Sequence, residues 1–459
     1  FFVAGQGSPT ASPSALDIGG GRTRRQITAD GQNISAFYSA FNFNPYNVFQ
    51  VPFERFNMYG QARYEVADNI EVYARGMYSN NTVETIIAPS GVFGSSVTVP
   101  VSNPFMTAAQ RTYLCANADT NTGVAGNQTL TSAECAAAAL ATSPTDPNYR
   151  TFTFGLRRRT TETGPRVSNY NSQVLDFRAG VRGNITDSIQ FDISGAHGES
   201  KKLQTIQNYV LLSRVRQALL ATSTGSCLNT ANGCVPLNIF GADGSITSAM
   251  SDFISDAATV QENTKLDQVK AVISGDTGIS SPWAAEGINF AAGAEYRRYA
   301  ASQASDILAK TPGELGGAGG AAPDIKGGYE VYEGFGELIL PIASDMPGIH
   351  ELTVEAGIRQ SHYKIAAAGN PTFDTTTWKV AGTWAPTPDF KVRGNYQRAV
   401  RAPNIGELFS PTSTGLTNLG TDPCAGAAPL SDADLRAQCL AQGAPAAAIA
   451  TTNNPTARH

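Results

Sequence analysis

The stretch "FNMYGQARYEV", residues 56–66, alternates between two kinds of residue along its whole length. Its even positions hold apolar or small residues, and its odd positions hold mostly polar ones, including Arg63 and Glu65. A period of two places the two sets on opposite faces of a β-strand. After residues 67–69 the segment "IEVYARGMYSN" repeats the alternation, so the sequence predicts a hairpin with a three-residue turn.

The same hairpin pattern recurs four more times, which gives ten predicted strands in five hairpins. Short turns join the strands within each hairpin, whereas long connections at residues 81–169, 205–264 and 301–327 join one hairpin to the next. Short turns on one side and long loops on the other are typical of outer-membrane barrels. A soluble sandwich or a small ligand-holding barrel is the alternative, because alternation also marks half-buried strands.

The polar face of the predicted strands is densely charged. A small barrel fills its interior with packed side chains, so this charge density indicates a wide, wet or plugged lumen. The charged residues predicted to face the lumen are Arg63, Glu65, Glu71, Arg75, Asp176, Arg178, Arg182, Asp192, Glu295, Arg297, Glu333, Glu337, Glu355, Arg359, Lys391 and Arg393.

Composition and motifs exclude several classes of protein. The net charge of -5 gives no reason to expect a nucleic-acid partner, and the one dense basic run, residues 157–159, is interpreted as a solvated face. No window approaches the run of about 18 apolar residues that a membrane-spanning helix needs. The chain lacks a phosphate-binding glycine loop, a GxSxG elbow and an HExxH motif, so we expect neither an enzyme nor a cofactor.

Six cysteines form three local pairs in the connections outside the strands: Cys115 with Cys135, Cys227 with Cys234, and Cys424 with Cys439. An even number spaced in this way predicts three disulfides in an oxidising compartment. A zinc site is the alternative, but the spacings are not CxxC and the four histidines lie far from the pairs in sequence.

The long connections also contain two predicted short helices. One follows residues 103–104 and carries Cys115, and the other begins at Ser431, with Asp434 three residues on, and carries Cys439. Aromatic residues in the loops or at the barrel rim are candidates for stacking on a ligand, with packing inside the loops as the alternative role. They are Tyr113, Tyr149, Tyr170, Tyr209, Phe240 and Phe409.

The segment "YQRAVRAPNIGELFSP", residues 396–411, resembles a recurring barrel segment of TonB-dependent outer-membrane receptors. Similar blocks are "YEVYEGFGELILPIASDMPGIHELTVEAGIRQSHY", "RRRTTETGPR", "GINFAAGAEYRR" and the loop from "DPC" to "RAQC", so the resemblance covers about residues 45–439. The residues that carry the motif are Arg398, Arg401, Ala402, Pro403, Asn404, Glu407, Leu408 and Phe409.

The resemblance implies a monomeric transmembrane barrel of about twenty-two strands, plugged by an N-terminal domain, in the bacterial outer membrane. External loops and plug would bind a scarce nutrient such as an iron siderophore, cobalamin or an oligosaccharide. TonB would then act on the N-terminal region to admit the ligand. Arg401 is expected at the lumen mouth as a candidate ligand contact, and the sequence leaves open whether Arg401 and Glu407 touch ligand, plug or each other.

The sequence departs from the family pattern, because it contains no TonB box, no plug motifs and no closing strand with a terminal aromatic residue. We therefore expect an internal fragment with about ten of the strands. Residues 1–55 would be an extracellular loop and partial strand, residues 56–400 the barrel portion, and residues 401–459 a truncated extracellular loop. A passive porin and a surface-display or adhesin barrel remain the alternative functions.

Overall fold

The computed structural model describes residues 7–18, 23–121, 128–412, 423–424, 427–444, 446 and 449. The strands are β1 (Ala15–Ile18), β2 (Thr23–Ile27), β3 (Ile34–Ser35), β4 (Phe53–Ala67), β5 (Ile70–Ile87), β6 (Gly91–Pro100), β7 (Asp119–Thr120), β8 (Thr151–Arg159), β9 (Arg166–Asn184), β10 (Ile189–Val210), β11 (Ser255–Ser280), β12 (Gly287–Ser305), β13 (Ile325–Met346), β14 (Ile349–Ile365), β15 (Thr372–Thr387) and β16 (Phe390–Arg398). The α-helices are α1 (Ala108–Asn117), α2 (Ser132–Leu140), α3 (Leu212–Leu219), α4 (Ser248–Ile254), α5 (Ile307–Lys310), α6 (Ile405–Phe409), α7 (Ala428–Ser431) and α8 (Ala433–Ala441).

Ten strands form one antiparallel sheet in which strands β4, β5 and β9 to β16 are neighbours in the order in which they follow along the chain. The prediction of ten strands in five hairpins is confirmed. Strands β4 and β16 are the edges, and each pairs with a single neighbour within the described residues. The sheet is thus an open section of a transmembrane barrel wall.

One row of cross-strand partners defines the two faces of this sheet, because side chains in one row point the same way. The row consists of Arg63, Tyr73, Gly180, Ser194, Lys270, Glu295, Glu333, Ser361 and Thr375. All the charged residues predicted to face the lumen share the parity of this row, which we call the lumen face. The opposite face is called the outer face.

The outer face is an apolar belt that ends in aromatic rings toward the long loops. The Tyr296 and Tyr332 rings lie 5.0 Å apart on β12 and β13, and the Trp378 and Tyr396 rings lie 5.4 Å apart on β15 and β16. Amphipathic rings at the boundary between hydrocarbon and water are typical of membrane barrels. This aromatic girdle marks the outer membrane boundary of the sheet.

Several strands are longer than the alternation predicts. Strand β5 continues through residues 81–87, and β10 and β11 add residues 205–210 and 255–264 at their loop ends. Beyond the apolar belt both faces of a strand meet water, so both carry polar residues and the period of two disappears. The connections between hairpins are correspondingly shorter than predicted.

A second antiparallel sheet is separate from the ten-stranded sheet, with strand order β3-β2-β1-β8-β6 and β7 paired with β8. Together with α1 to α4 it forms what we call the loop body. Residues 15–35, which the sequence assigns to a loop and partial strand, supply three of its strands. The core of the loop body draws on separate stretches of the chain, including Leu16, Val99, Phe152 and Phe240.

Helix caps and disulfides stabilise the loops. A capping box of Thr107 and Gln110 opens α1, whereas α8 is capped by Asp432 and not by the predicted Ser431, because the Asp432 carboxylate accepts from the amide of Leu435. The structure contains all three predicted disulfides, Cys115–Cys135, Cys227–Cys234 and Cys424–Cys439.

No helix within the described ranges is long and apolar enough to cross a membrane.

Candidate functional site

A network of charged side chains crosses the lumen face at the level of Glu333. Its carboxylate accepts from Arg297 Nη2 at 2.5 Å, from Arg359 Nη1 at 2.9 Å and from Ser361 Oγ at 2.7 Å. These residues come from β12, β13 and β14, so the network ties three strands together. Glu333 is only 6% exposed, yet two guanidinium groups and a hydroxyl compensate its charge.

The network continues through a second carboxylate, Glu295. Gln268 Nε2 donates to Glu295 Oε1 at 2.5 Å, and Arg178 Nη2 donates to Gln268 Oε1 at 2.8 Å. Arg297 Nε lies 3.2 Å from Glu295 Oε1, so ion pairs and hydrogen bonds together link side chains from β9 to β14. Each acid has a basic or amide partner, so this part of the wall is a connected polar surface.

A row of four aromatic rings lies above this network, toward the loops. Tyr299 and Tyr329 have ring centroids 4.9 Å apart, Tyr329 and Tyr363 6.3 Å, and Tyr363 and Phe373 4.4 Å. Arg297 Nη1 also donates to the Tyr299 hydroxyl at 3.1 Å, which connects the row to the charged network. Cross-strand aromatic pairs stabilise a sheet, so the row stiffens the lumen mouth.

The sequence interpretation missed this row. Its four residues fall on the lumen parity of β12 to β15, at positions where an aromatic residue replaces the expected polar one. Aligning the hairpins by their turns would have placed them side by side.

The motif that carries the family resemblance makes a tight return at the end of β16. The strand ends at Arg398, and Asn404 caps α6 by accepting from the Glu407 amide at 2.8 Å. Arg401 binds Glu407 with two hydrogen bonds of 3.0 and 2.9 Å, so within the described residues these two groups contact each other. The hydrogen bond from Arg401 lowers the pKa of Glu407, and its partner raises the pKa of Arg401.

Helix α6 then packs on strand β13, at its loop end. The Phe409 ring lies over Gly327 so closely that a methyl group added to this glycine would overlap the ring. Ala402, Pro403 and Leu408 are half-buried in this turn, whereas Arg398 stays exposed. The motif thus places α6 at the loop end of β13, where Gly327 lies two residues from Tyr329 of the aromatic row.

The other predicted aromatic candidates are scattered. Tyr170 lies within β9 and its hydroxyl accepts from Gln204 Nε2 at 3.0 Å, and Tyr113 accepts from Arg25 Nε at 2.8 Å. Burial raises the pKa of the half-buried Tyr149. Tyr209 and Phe240 are 7% and 0% exposed, which favours packing over ligand contact for both. The structure does not bring these five together into one site.

The basic run at residues 157–159 is not the solvated face that the sequence interpretation predicted. Arg158 is 1% exposed and pairs with Glu162, while Arg157 Nε lies 2.5 Å from Asp17 Oδ2. Arg159 lies between two phenylalanine rings, and its burial lowers its pKa to about 10. Arg158 and Arg159 are buried and Arg157 is partly buried in the loop body, where β8 pairs with β1 and β6.

Comparison with known proteins gives a family match. A family model described as TonB dependent receptor-like, beta-barrel, matches residues 137–438, about two thirds of the chain. No curated protein sequence matches the chain. Among solved structures, the ferric-catecholate import receptor Fiu from E. coli K12 in its closed form matches with 12% identity and a TM-score of 0.38, covering 86% of this chain and 48% of that one.

Proposed function

Since this chain belongs to the TonB-dependent receptor family, we propose that it takes part in energy-coupled uptake of a scarce nutrient across the bacterial outer membrane. The observation that carries the proposal is the division of the ten-stranded sheet into an apolar outer face with an aromatic girdle and a charged lumen face. A lipid-facing wall around a polar passage is what a barrel transporter requires. The family is one of receptors and not of enzymes.

The partners of the receptor are part of the same proposal. TonB would supply energy from the inner membrane by acting on a plug within the barrel, as the family implies. The candidate ligands are iron siderophores, cobalamin and oligosaccharides. The loop end of β13, where α6 packs, and the loop body are the surfaces that such a ligand would meet first.

Uptake in cells tests this proposal. A strain that lacks the gene should lose uptake of one of these ligands, and the full-length gene should restore it. A second deletion, of tonB, should abolish the restored uptake, because active transport needs the energy that TonB transmits. Uptake that persists without TonB would indicate a passive porin, and ligand binding without uptake would indicate a surface-display barrel.

A matched pair of variants connects uptake to the motif. Arg401→Glu should reduce uptake because it places two carboxylates together, whereas the double variant Arg401→Glu with Glu407→Arg should restore it. If both variants transport as well as the natural receptor, the ion pair has no part in uptake.

A further inference from the structure

Three basic residues stand together on the outer face, on strands β12, β13 and β14. Arg298 and Lys364 flank Glu330 in one cross-strand row. Lys326 lies four residues closer to the loops than Glu330 along β13, opposite Ser302. Within the described part of the chain none of the three forms an ion pair. Their charges are therefore available to a partner outside the barrel wall.

These residues line a cleft of about 520 Å³ whose floor is made of small residues. Gly328 and Ala300 form the floor, and a methyl group on Gly328 would lie 2.6 Å from the Tyr299 carbonyl oxygen. No larger side chain fits there without moving the neighbouring strand. The floor thus stays recessed between basic rims, and a compact group can enter the cleft.

The cleft lies just beyond the aromatic girdle. Arg298 and Glu330 are each two residues nearer the loops than Tyr296 and Tyr332, whose ring centroids lie 5.0 Å apart. A strand rises about 3.3 Å per residue, so the basic rims stand about 7 Å above the girdle. This is the level of lipid headgroups, because aromatic girdles mark the boundary of the hydrocarbon.

The cleft carries a net positive charge. Glu330 is its one carboxylate, and its Oε2 accepts from the Tyr332 hydroxyl at 3.2 Å. Elsewhere on the outer face Lys201 and Lys265 share Glu199 at 3.4 and 3.3 Å, so cations at the same face can be neutralised within the sheet. No ion pair within the described residues neutralises Arg298, Lys326 or Lys364.

We propose that this cleft binds the phosphate group of a phosphorylated lipid in the outer leaflet. The lipid is favoured over free phosphate because the cleft opens on the face that the membrane covers. Guanidinium and ammonium groups bind phosphate through charge-assisted hydrogen bonds. The inference rests on the proposed outer-membrane location.

The test uses the full-length receptor in detergent micelles that contain lipid A or the same lipid without its phosphates. Native mass spectrometry of the natural receptor should show about tenfold or greater preference for the phosphorylated lipid, as expected for several basic residues near an anionic surface. The triple variant Arg298→Gln, Lys326→Gln, Lys364→Gln should lose this preference. The control variant Lys201→Gln, Lys265→Gln removes paired cations from the same face and should keep it.

Three results would overturn the inference. They are no preference for the phosphorylated lipid in the natural receptor, the same preference in the triple variant as in the natural receptor, or competition by inorganic phosphate that removes bound lipid A as effectively as added free lipid A does. The comparison of the two lipids needs no variant, so it decides the question even if the triple variant does not fold. TonB-dependent uptake is measured on the same natural receptor. Normal uptake without lipid preference would leave the proposed function standing and remove only the lipid site.

Discussion

Arg158 places a buried positive charge inside the loop body, and nearby carboxylates compensate it. Glu162 is its close partner, and Asp243 Oδ1 lies 3.9 Å from Arg158 Nη1. We expect Glu162→Gln to destabilise the loop body by about 3 kcal/mol, because it leaves a buried guanidinium without a full counter-charge. Thermal unfolding followed by limited proteolysis of the loop body measures this, with Asp252→Asn, an exposed change on α4, as the matched control.

The two outcomes are distinct. If Glu162→Gln unfolds at the same temperature as Asp252→Asn, then Asp243 alone satisfies Arg158. The burial of Arg158 could not be read from the sequence, since its partner Glu162 is local but β1, the strand that pairs with β8, lies about 140 residues earlier in the chain. A run of arginines has the same sequence pattern whether its side chains are solvated or paired with carboxylates.

The Arg401–Glu407 pair should depend on pH in a defined direction. Because its partner lowers the pKa of Glu407, the stabilisation is complete above the ordinary glutamate pKa of about 4.3 and is lost as pH falls through the lowered value. Hydrogen exchange of the Glu407 amide should therefore speed up in acid beyond its intrinsic pH dependence. In Glu407→Gln this additional acid step should be absent, and its persistence there would assign the titration to another group.

The contact between α6 and β13 fixes the position of the chain that follows β16. Gly327→Ala should displace α6, because the added methyl group would overlap the Phe409 ring. Proteolysis of residues 399–412 should become faster, while Gly334→Ala on the same strand, where the space is open, should leave it unchanged.

A double variant separates this contact from a general defect of β13. In a Phe409→Ala background the ring is gone, so Gly327→Ala should add nothing to the cleavage rate. Additive effects would mean that the methyl group disturbs the strand itself.

At the scale of elements the sequence predicts the barrel strands well where one face meets lipid. The alternation at residues 56–66 and the short turns are local signals, and they yield the ten strands and their order. The loop body is different, because β1 pairs with β8 and the two are far apart in sequence. Pairing over such a distance depends on packing, and no local pattern records it.

For the whole molecule, the division into lumen and outer faces predicts that the same substitution has different effects on stability at two adjacent residues. Ala292 lies on the outer face within the apolar belt, whereas Ala291 lies on the lumen face opposite Glu337. Ala292→Arg should cost about 2 to 4 kcal/mol in the membrane. Ala291→Arg should be tolerated, since its guanidinium would face the Glu337 carboxylate.

Heat-modified gel mobility of the full-length receptor reports barrel assembly in both variants. The Ala292 variant should assemble poorly and the Ala291 variant normally. Equal assembly, or the reverse order, would contradict the assignment of the two faces.

The composition of the loop-body core limits which segments can be exchanged in a chimaeric receptor. Its core combines side chains from three stretches that the barrel strands separate, such as Leu16, Phe152 and Leu219. A chimaera that takes one of these stretches from a related receptor would meet a foreign core on its other sides. The loop body can therefore be exchanged between receptors only when all three stretches are exchanged together.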